Sequence, residues 1–466
     1  MKKMGTLLGG LAAASMAATT GFAAEGAVPT GIPRLDHVYV IMMENHSFGQ
    51  VVGNPAMPFI NAQISKGEVN LAGNYFAVGH PSLTNYLEIV GGSNFGVRSD
   101  NPPDWHNRTC QPNLATGVVN ADNDSGNAPY PIESNDVCPI SGSGTDAPTE
   151  AVDSWNETSP PVFNYLANID GIQSVPAARN TSGKTIADQL VKAGLSYKSY
   201  QESLPLAGAN NVTNSNGVAT DKTTFDASQP LSPTNLPPLT SAGLVNLYAV
   251  KHNPFAYFAS TQEGTDPRNS LANTVPFDGA NGLYADLAKG HVPTLAFIVP
   301  NQCDDQHGRG NGDAFCQEDQ GLSAFGGLTD GTLAGMNPGL SANADATVAR
   351  IVTAIKASPA WNDGNSAIVV VYDENDYSGF ADPQPANTAF PAPQQNLVVL
   401  TVETNDNCRG GHKNKAITSS TFYTSYSLLK TMEAGFHLPC LNHACDKNVS
   451  VMSDLFGGSS GNGHGW

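Results

Sequence analysis

Hydrophobic and polar positions along this chain form blocks that predict strands and helices in alternation. The segment His37–Met43 is almost continuously apolar, as expected of a strand that is buried on both faces of a parallel sheet. Helical spacing of Ile186, Leu190 and Val191 indicates a helix that packs one face on such a sheet. The pattern predicts strands near 37–43, 196–200, 294–300, 367–372 and 396–402, and helices near 58–66, 182–194, 342–357 and 421–436.

Two stretches between these blocks have no periodic pattern. Residues 99–180 and 206–240 are rich in Asn, Pro, Ser and Thr, which predicts long polar insertions. We expect one domain over 34–456 and a flexible Gly/Ser-rich tail over 457–466. Strands that alternate with helices, with polar residues at the strand ends, predict a three-layer α/β/α sandwich around a mostly parallel central sheet.

The first residues resemble an export signal. Lys2 and Lys3 precede an apolar, Ala-rich stretch that leads to small residues, so residues 1–24 are predicted to be a signal peptide. The protein is therefore expected in the periplasm or outside the cell, where cysteines form disulfides by default. The predicted pairs are Cys110–Cys138, Cys303–Cys316 and two of Cys408, Cys440 and Cys445.

Charge and hydropathy exclude two classes of partner. The chain has 22 Lys and Arg against 41 Asp and Glu, and this net charge of −19 argues against nucleic acid, which needs a basic face. After the first residues no apolar run reaches the ~20 residues of a spanning helix, so no stable membrane anchor is expected. An acidic protein binds an anion through a local device such as a metal ion or a helix N-terminus. The sequence leaves the oligomeric state open.

Acidic residues and histidines cluster directly after predicted strands. Carboxylates gathered at one edge of a sheet repel one another unless a cation binds them, and a hard, oxygen-liganded metal suits that role. Each segment alone has an ordinary alternative: a cap, a solvated loop or a structural histidine. The four segments are Glu44-Asn45, 79–87, 300–308 and Asp373-Glu374-Asn375-Asp376.

Ser82 is the candidate nucleophile. Pro81 suits the first position of a helix, so Ser82 is predicted at a helix start. Free backbone N–H groups and the positive end of the helix dipole at that place would hold a phosphoryl group on the serine Oγ. The alternative is that Ser82 is only an N-terminal cap.

Several motifs resemble the bacterial phosphoesterase family. That family includes exported acid phosphatases and phosphocholine-type phospholipases C and belongs to the alkaline-phosphatase-like fold group. The strand end Met43-Glu44-Asn45-His46-Ser47-Phe48 resembles its (M)ENxSF signature. Five further segments of this chain resemble motifs of the acid phosphatase branch, and they occur in the same order. They are HPSLTNYL (80–87), KHNPF (251–255), PNQCDDQHGRGNGD (300–313), YDE (372–374) and SYSLL (425–429).

The resemblance implies a role for each matching residue. The implied metal ligands are Glu44, Asn45, Asp373 and Glu374; the nucleophile is Ser82; His80 and His307 are acid–base groups; and Asn85, Asn301, Asp305 and His252 bind phosphate or substrate. Oxygen ligands favour Mg, Ca or Mn, whereas ligation by His307 or His412 would favour Zn or Fe. Ser425 replaces the family's helix histidine and residues 376–382 contain no histidine, which leaves the number of metal ions open.

The implied activity is that of an exported acid phosphatase. A small phosphomonoester or a phosphoinositide-type lipid would be the substrate, and His80 or His307 would protonate the leaving group, which predicts an acidic pH optimum. Two alternatives are a phospholipase C-like phosphodiesterase and a non-catalytic binding protein on the same fold.

Overall fold

The structure is a computed structural model that describes most of the domain predicted from the sequence. It describes residues 25–79, 82–95, 100, 183–204, 247–262, 266–308, 315–319, 333, 335–375, 396–408 and 415–457, and the backbone of short strands within 111–137 and at 214–215. The predicted signal peptide, most of both insertions and nearly all of the tail lie outside these residues, as do His80, His412, Cys110 and Cys138.

The described elements follow the predicted alternation of strands and helices. The strands are β1 (His37–Met43), β2 (Asn70–Ala72), β3 (Tyr75–Phe76), β4 (Gln111–Pro112), β5 (Val119–Asn120), β6 (Glu133–Ser134), β7 (Asp136–Val137), β8 (Tyr197–Gln201), β9 (Asn214–Ser215), β10 (Tyr248–Ala249), β11 (Thr274–Pro276), β12 (Leu295–Val299), β13 (Ser366–Tyr372), β14 (Leu400–Thr404), β15 (Thr418–Ser419) and β16 (Tyr423–Thr424). The α-helices are α1 (Phe48–Val51), α2 (Pro58–Lys66), α3 (Ser82–Gly91), α4 (Ile186–Lys192), α5 (Ala259–Gln262), α6 (Leu283–Lys289), α7 (Pro338–Ala357) and α8 (Ser425–Phe436).

Eight strands form the central sheet in the order β11-β8-β12-β1-β13-β14-β2-β15. Only β14 runs against the others, since it pairs antiparallel with both β13 and β2. The remaining pairs are parallel, which confirms the predicted mostly parallel sheet. Strands β1, β12 and β13 lie side by side, so their carboxyl ends reach the same edge.

Helices cover both faces of this sheet, which confirms the predicted three layers. Val40 pairs in register with Phe297 on β12 and Val369 on β13, so these three side chains point to one face. Phe297 contacts Tyr86 of α3 there. Ile368 and Val370 point to the other face, where residues of α2 and α7 line the same small cavity.

Several predicted element boundaries were wrong: the helix predicted from 342 begins at Pro338, after its Asn337 cap. Three further starts also have a local reason. The helix predicted from 182 begins at Ile186, because the Thr185 side chain caps it by accepting from the N–H groups of Ala187 and Asp188. The helix predicted from 421 begins at Ser425, because the two residues before it pair with β3. The strand predicted from 396 begins at Leu400, because Leu397 and Val398 form isolated bridges to Phe76 and Ser47 instead.

Among the described cysteines, two disulfides fix loops around the sheet. Cys303–Cys316 confirms the predicted pair, and Cys440–Cys445 is the bridge expected among the last three cysteines. Cys408 is a buried thiol whose Sγ lies 3.6 Å from the Ser366 carbonyl oxygen. Among the described helices, none is both long and apolar enough to cross a membrane.

Candidate active site

Three acidic side chains meet where strands β1 and β13 end. Glu44 follows β1, and Asp373 and Glu374 follow β13; the paired strands hold Met43 opposite Tyr372. The Asp373 N–H donates to the Met43 carbonyl oxygen at 2.9 Å, which continues the ladder past both strands. One carboxylate oxygen of each acid lies within 4.8 Å of the others, and no side chain of the three is more than 2% exposed. The predicted clustering of these carboxylates is therefore confirmed.

Ser82 points into this cluster from the first position of α3. Its Oγ lies 3.0 Å from Glu44 Oε2 and 2.9 Å from Glu374 Oε1. A hydroxyl carries one proton and can donate to only one of two carboxylates. With both acids ionised, the second contact places two electron-rich oxygens together. The arrangement therefore requires a further positive charge at this place, from a proton or a cation.

Burial and mutual repulsion favour the protonated acids in the metal-free protein. Burial raises the pKa of Glu44 to about 8, with Lys251 lowering it and Glu374 raising it. Burial, followed by the charges of Glu44 and Glu374, raises the pKa of Asp373 well above its ordinary value. Asp305 behaves in the same way, because burial and then Glu44 raise its pKa. Burial is the largest cause of all three shifts, and the neighbouring carboxylates add to it.

The donor set suits a hard divalent cation. Asp373 Oδ2 is buried and accepts no hydrogen bond from a described donor, so a ligand atom is available there. Its partner Oδ1 accepts the backbone N–H of Asn45 at 3.1 Å, and this contact fixes the carboxylate orientation. Glu44, Asp373 and Glu374 offer oxygen atoms only, the ligands that Mg, Ca and Mn prefer.

Asn45 adopts a left-handed backbone with φ 56° at the end of β1. Asparagine tolerates this region better than most residues, which explains why the chain can turn directly after a buried strand. The turn presents the Asn45 N–H to Asp373. Ligation by the Asn45 side chain remains a prediction.

Asn85 supports the turn that leads to Ser82. Its Oδ1 accepts the N–H groups of Val78 and Gly79 at 3.2 and 3.0 Å, and its Nδ2 donates to the Gly79 carbonyl at 2.9 Å. The same Nδ2 lies 3.3 Å from Glu374 Oε2. Asn85 thus joins the turn before the nucleophile to a carboxylate of the cluster. Its role in phosphate binding remains a prediction.

The second oxygen of Glu44 faces a tyrosine and a histidine. Tyr86 Oη donates to Glu44 Oε1 at 2.5 Å, and His252 Nε2 lies 3.2 Å from the same oxygen. The other ring nitrogen of His252 lies 3.3 Å from Asp305 Oδ2. The imidazole stacks on the Tyr86 ring at 5.5 Å, so this buried histidine is held between two carboxylates.

His307 lies next to His252, and its neighbours define its tautomer. Its Nδ1 is 2.9 Å from the Gly308 carbonyl, which can only accept, so Nδ1 carries the proton. Its Nε2 is 3.1 Å from Lys251 Nζ, which can only donate, so Nε2 carries the lone pair. The backbone N–H of His307 donates to Asp305 Oδ1 at 2.7 Å. In this arrangement the ring is a neutral acceptor of Lys251.

Asn301 shapes its own loop. Its Oδ1 accepts the N–H groups of Cys303 and Asp304, and its Nδ2 donates to Ser203 Oγ at 3.2 Å. Substrate binding by Asn301 remains a prediction, and so does acid–base catalysis by His80, which lies outside the described residues.

Three residues at the site were not assigned a role from the sequence: Tyr86, Asp100 and Lys251. Tyr86 and Lys251 lie within the motifs HPSLTNYL and KHNPF, which resemble those of the family. These motifs could have pointed to both residues as part of the site. Asp100 has no comparable signal, because it reaches Lys251 across 151 positions of sequence.

Comparison with known proteins agrees with these motifs. The model of the phosphoesterase family matches residues 55–318, more than half of the chain. A phosphatidylinositol-3-phosphatase of Mycobacterium tuberculosis is 32% identical over 116 residues, which are 25% of this chain and 38% of that protein. An acid phosphatase of Aspergillus fumigatus is 28% identical over 159 residues, 32% of this chain and 28% of that protein. The matched segments thus span 38% of one curated relative and 28% of the other.

Solved structures are similar at low identity. A protein of the alkaline phosphatase superfamily from Vibrio parahaemolyticus has a TM-score of 0.38 and 10% identity, over 91% of this chain and 72% of that one. A lipoteichoic acid synthase from Listeria monocytogenes has a TM-score of 0.40 and 10% identity, over 94% and 80% of the two chains. The family match over more than half of the chain decides the assignment: as its motifs predicted, the protein belongs to the phosphoesterase family.

Proposed function

We propose that this protein is an exported phosphatase that hydrolyses phosphomonoesters through Ser82. The observation that carries the proposal is the placement of Ser82 Oγ between Glu44 and Glu374, two buried carboxylates at a sheet edge. Membership of the phosphoesterase family supports the reaction class. The names of two curated relatives, a phosphatidylinositol-3-phosphatase and an acid phosphatase, support the choice of a phosphatase.

Ser82 would act as the nucleophile in an in-line displacement. Its Oγ forms a bond to phosphorus while the bond from phosphorus to the ester oxygen breaks, and water then hydrolyses the phosphoserine. The proton of the hydroxyl has a carboxylate acceptor on either side, at Glu44 Oε2 or Glu374 Oε1. The position of Ser82 at the start of the ten-residue helix α3 places its Oγ at the positive end of that helix.

Glu44, Asp373 and Glu374 would hold one divalent cation. When bound, the cation supplies positive charge that lowers the pKa of the serine hydroxyl. His307 and His252 also lie within 4.8 Å of a Glu44 oxygen. Because Lys251 and Gly308 engage both nitrogens of His307, we favour the carboxylate set and therefore Mg, Ca or Mn over Zn or Fe.

The leaving alkoxide needs a proton. The neutral tautomer of His307 has its lone pair directed at Lys251 and so lacks a proton on Nε2. His80, two positions before the nucleophile, is therefore our first choice of general acid, with the Lys251–His307 pair as the alternative source.

Export is supported by the two disulfides, Cys303–Cys316 and Cys440–Cys445, which persist in oxidising compartments. Fractionation of cells that express the full chain tests this part of the proposal: activity and antigen should appear in the periplasm or medium rather than in the cytosol.

The function is tested by turnover of p-nitrophenyl phosphate at pH 5–6, with and without chelator. We expect chelator-sensitive activity in the wild type and a loss of about 10⁴-fold in Ser82→Ala, because Ser82 is the hydroxyl that the described residues place between Glu44 and Glu374. Ser425→Ala is the matched control, since Ser425 is also a buried serine that begins a helix, but its Oγ accepts from Tyr75 and does not donate to the cluster. That control should keep its activity.

Three results would contradict the proposal. Near-wild-type turnover by a folded Ser82→Ala protein would leave Ser82 as a helix cap only. Faster hydrolysis of bis-p-nitrophenyl phosphate or phosphatidylcholine than of any monoester would favour the phosphodiesterase. Phosphate binding without turnover of either substrate class would indicate a non-catalytic binding protein.

A further inference from the structure

Lys251 is a largely buried cation beside the carboxylate cluster. It lies in a 3-10 turn, Val250–His252, and its side chain is 15% exposed. Its Nζ donates to Asp100 Oδ2 at 2.9 Å and to His307 Nε2 at 3.1 Å. Burial lowers the pKa of Lys251, but the carboxylates of Asp100, Glu44 and Glu374 raise it by more, so the net shift is upward. Lys251 is thus a fixed ammonium at the site.

Asp100 connects this ammonium to the helix of the nucleophile. While Oδ2 accepts from Lys251, Oδ1 accepts the backbone N–H of Leu83 at 3.1 Å. Leu83 follows Ser82 in the first turn of α3. A single carboxylate therefore occupies two donors, a lysine ammonium and a helix N-terminal amide, next to the serine hydroxyl. These are the groups that bind phosphoryl oxygens in proteins.

Resting on the proposed function, we propose that Lys251 binds the phosphoryl group of the substrate and that Asp100 occupies this anion position until the substrate displaces it. A phosphoryl group in line with Ser82 Oγ brings oxygens to the side of the serine where the Leu83 N–H lies. The Leu83 N–H is a single donor that Asp100 already occupies, so the two anions compete for it even though the Lys251 ammonium has a third N–H. A phosphate carries more charge and more acceptor atoms than one carboxylate, so it can compete for them.

His307 keeps the ammonium in place during this exchange. Its neutral ring accepts from Lys251 through Nε2, and its Nδ1–H is bound to the Gly308 carbonyl. When Asp100 leaves, Lys251 therefore retains one hydrogen bond that holds it towards the site. Asp100 is 26% exposed, so its carboxylate has access to solvent after displacement.

Equilibrium binding of inorganic phosphate tests the proposal separately from turnover. Calorimetry on the metal-loaded protein compares the wild type with Asp100→Asn, Asp100→Ala, Lys251→Met and Lys251→Arg. Removing the competing charge in either Asp100 variant should tighten phosphate binding by about tenfold, and Lys251→Met should weaken it by about tenfold or more. Lys251→Arg should retain most of the affinity, because it preserves the charge.

The matched control is Lys198→Met, which removes a lysine from a partly buried pair with Asp286 outside the site. It should leave phosphate affinity unchanged, and metal content and thermal unfolding should verify that each variant is folded and loaded.

Weaker phosphate binding in both Asp100 variants would overturn the competition and make Asp100 a positioning residue for Lys251. Unchanged binding in those variants would also overturn it. Unchanged binding in Lys251→Met would remove Lys251 from the anion site. If the wild type binds phosphate as expected but hydrolyses no monoester, the proposed function fails while the anion site stands.

Discussion

This molecule buries carboxylates in two contrasting ways. On α6, Asp286 is 5% exposed and meets a lysine and a tyrosine of β8: Lys198 Nζ pairs with its Oδ2, and Tyr200 Oη donates to the same oxygen at 2.8 Å. At the edge formed by β1 and β13, Glu44 and Asp373 are fully buried against each other and against Glu374.

The difference lies in where the compensating charge comes from. Asp286 receives a cation from its own chain, so it stabilises the packing of α6 on β8. The cluster has more acids than nearby lysines among the described residues, and Lys251 is already shared with Asp100 and His307. Buried carboxylates that destabilise the fold unless a cation binds them indicate a functional site. A buried carboxylate that is paired with a lysine instead contributes to stability.

The largest expected effect is a difference in enzymatic activity between variants of Asp373 and Asp286. Asp373→Asn should lose the bound metal and at least about 10³-fold in turnover, because it removes a charged ligand. Asp286→Asn should keep both. Elemental analysis and p-nitrophenyl phosphate turnover on the two purified variants measure this contrast.

A fully active, metal-loaded Asp373→Asn protein would contradict the cation site. If Asp286→Asn also lost its metal, the comparison between a structural and a functional acid would fail.

The local pattern of the sequence was sufficient to predict the edge of the sheet that carries the site. An apolar run ending in Glu44, and another ending in Asp373-Glu374, can only place those acids at strand ends. The helix start at Ser82 followed from Pro81 in the same way. Each of these inferences depends on neighbours within a few residues.

What the pattern could not predict depends on contacts between distant segments. The bond from Asn45 to Asp373 spans 328 positions, and that from Lys251 to Asp100 spans 151. The strand direction of β14 also depends on its partners β13 and β2 rather than on its own residues. Periodicity carries no information about such pairings, so the contact between Lys251 and Asp100 was found only in the structure.

The next largest effect concerns the stability that the ion pair between Asp286 and Lys198 gives to the fold. Asp286→Asn should lower the free energy of unfolding by about 2–3 kcal/mol, because it leaves a partly buried Lys198 without its counter-charge. Denaturant unfolding of the wild type and the variant measures the change.

The double variant Asp286→Asn with Lys198→Met should recover part of the lost stability, since it no longer leaves the lysine unpaired. If the double variant lost as much stability as the two single changes added together, the two residues would not be a coupled pair.

The smallest expected effect concerns a third buried acid, Glu433 on α8. Glu433 belongs neither to a pair like Asp286–Lys198 nor to the carboxylate cluster. Its Oε1 accepts the Leu441 N–H at 2.8 Å, and its Oε2 has no hydrogen-bond partner among the described residues. Burial raises the pKa of Glu433 well above its ordinary value, although Leu441 and Lys430 lower it. The folded protein therefore binds a proton here at pH values where the unfolded chain has lost it. The stability contributed by this proton is fully present below the unfolded pKa of about 4.5 and is lost as pH rises towards the folded value.

Glu433→Gln keeps an acceptor for Leu441 without a charge, so it should raise the free energy of unfolding at pH 7 by about 1 kcal/mol and have no such effect at pH 4. Unfolding curves at both pH values for the wild type and Glu433→Gln decide this, with activity and metal content unchanged throughout. A variant that is less stable than the wild type at pH 7 would show that Glu433 is ionised and held by a charge that the contacts of α8 do not reveal.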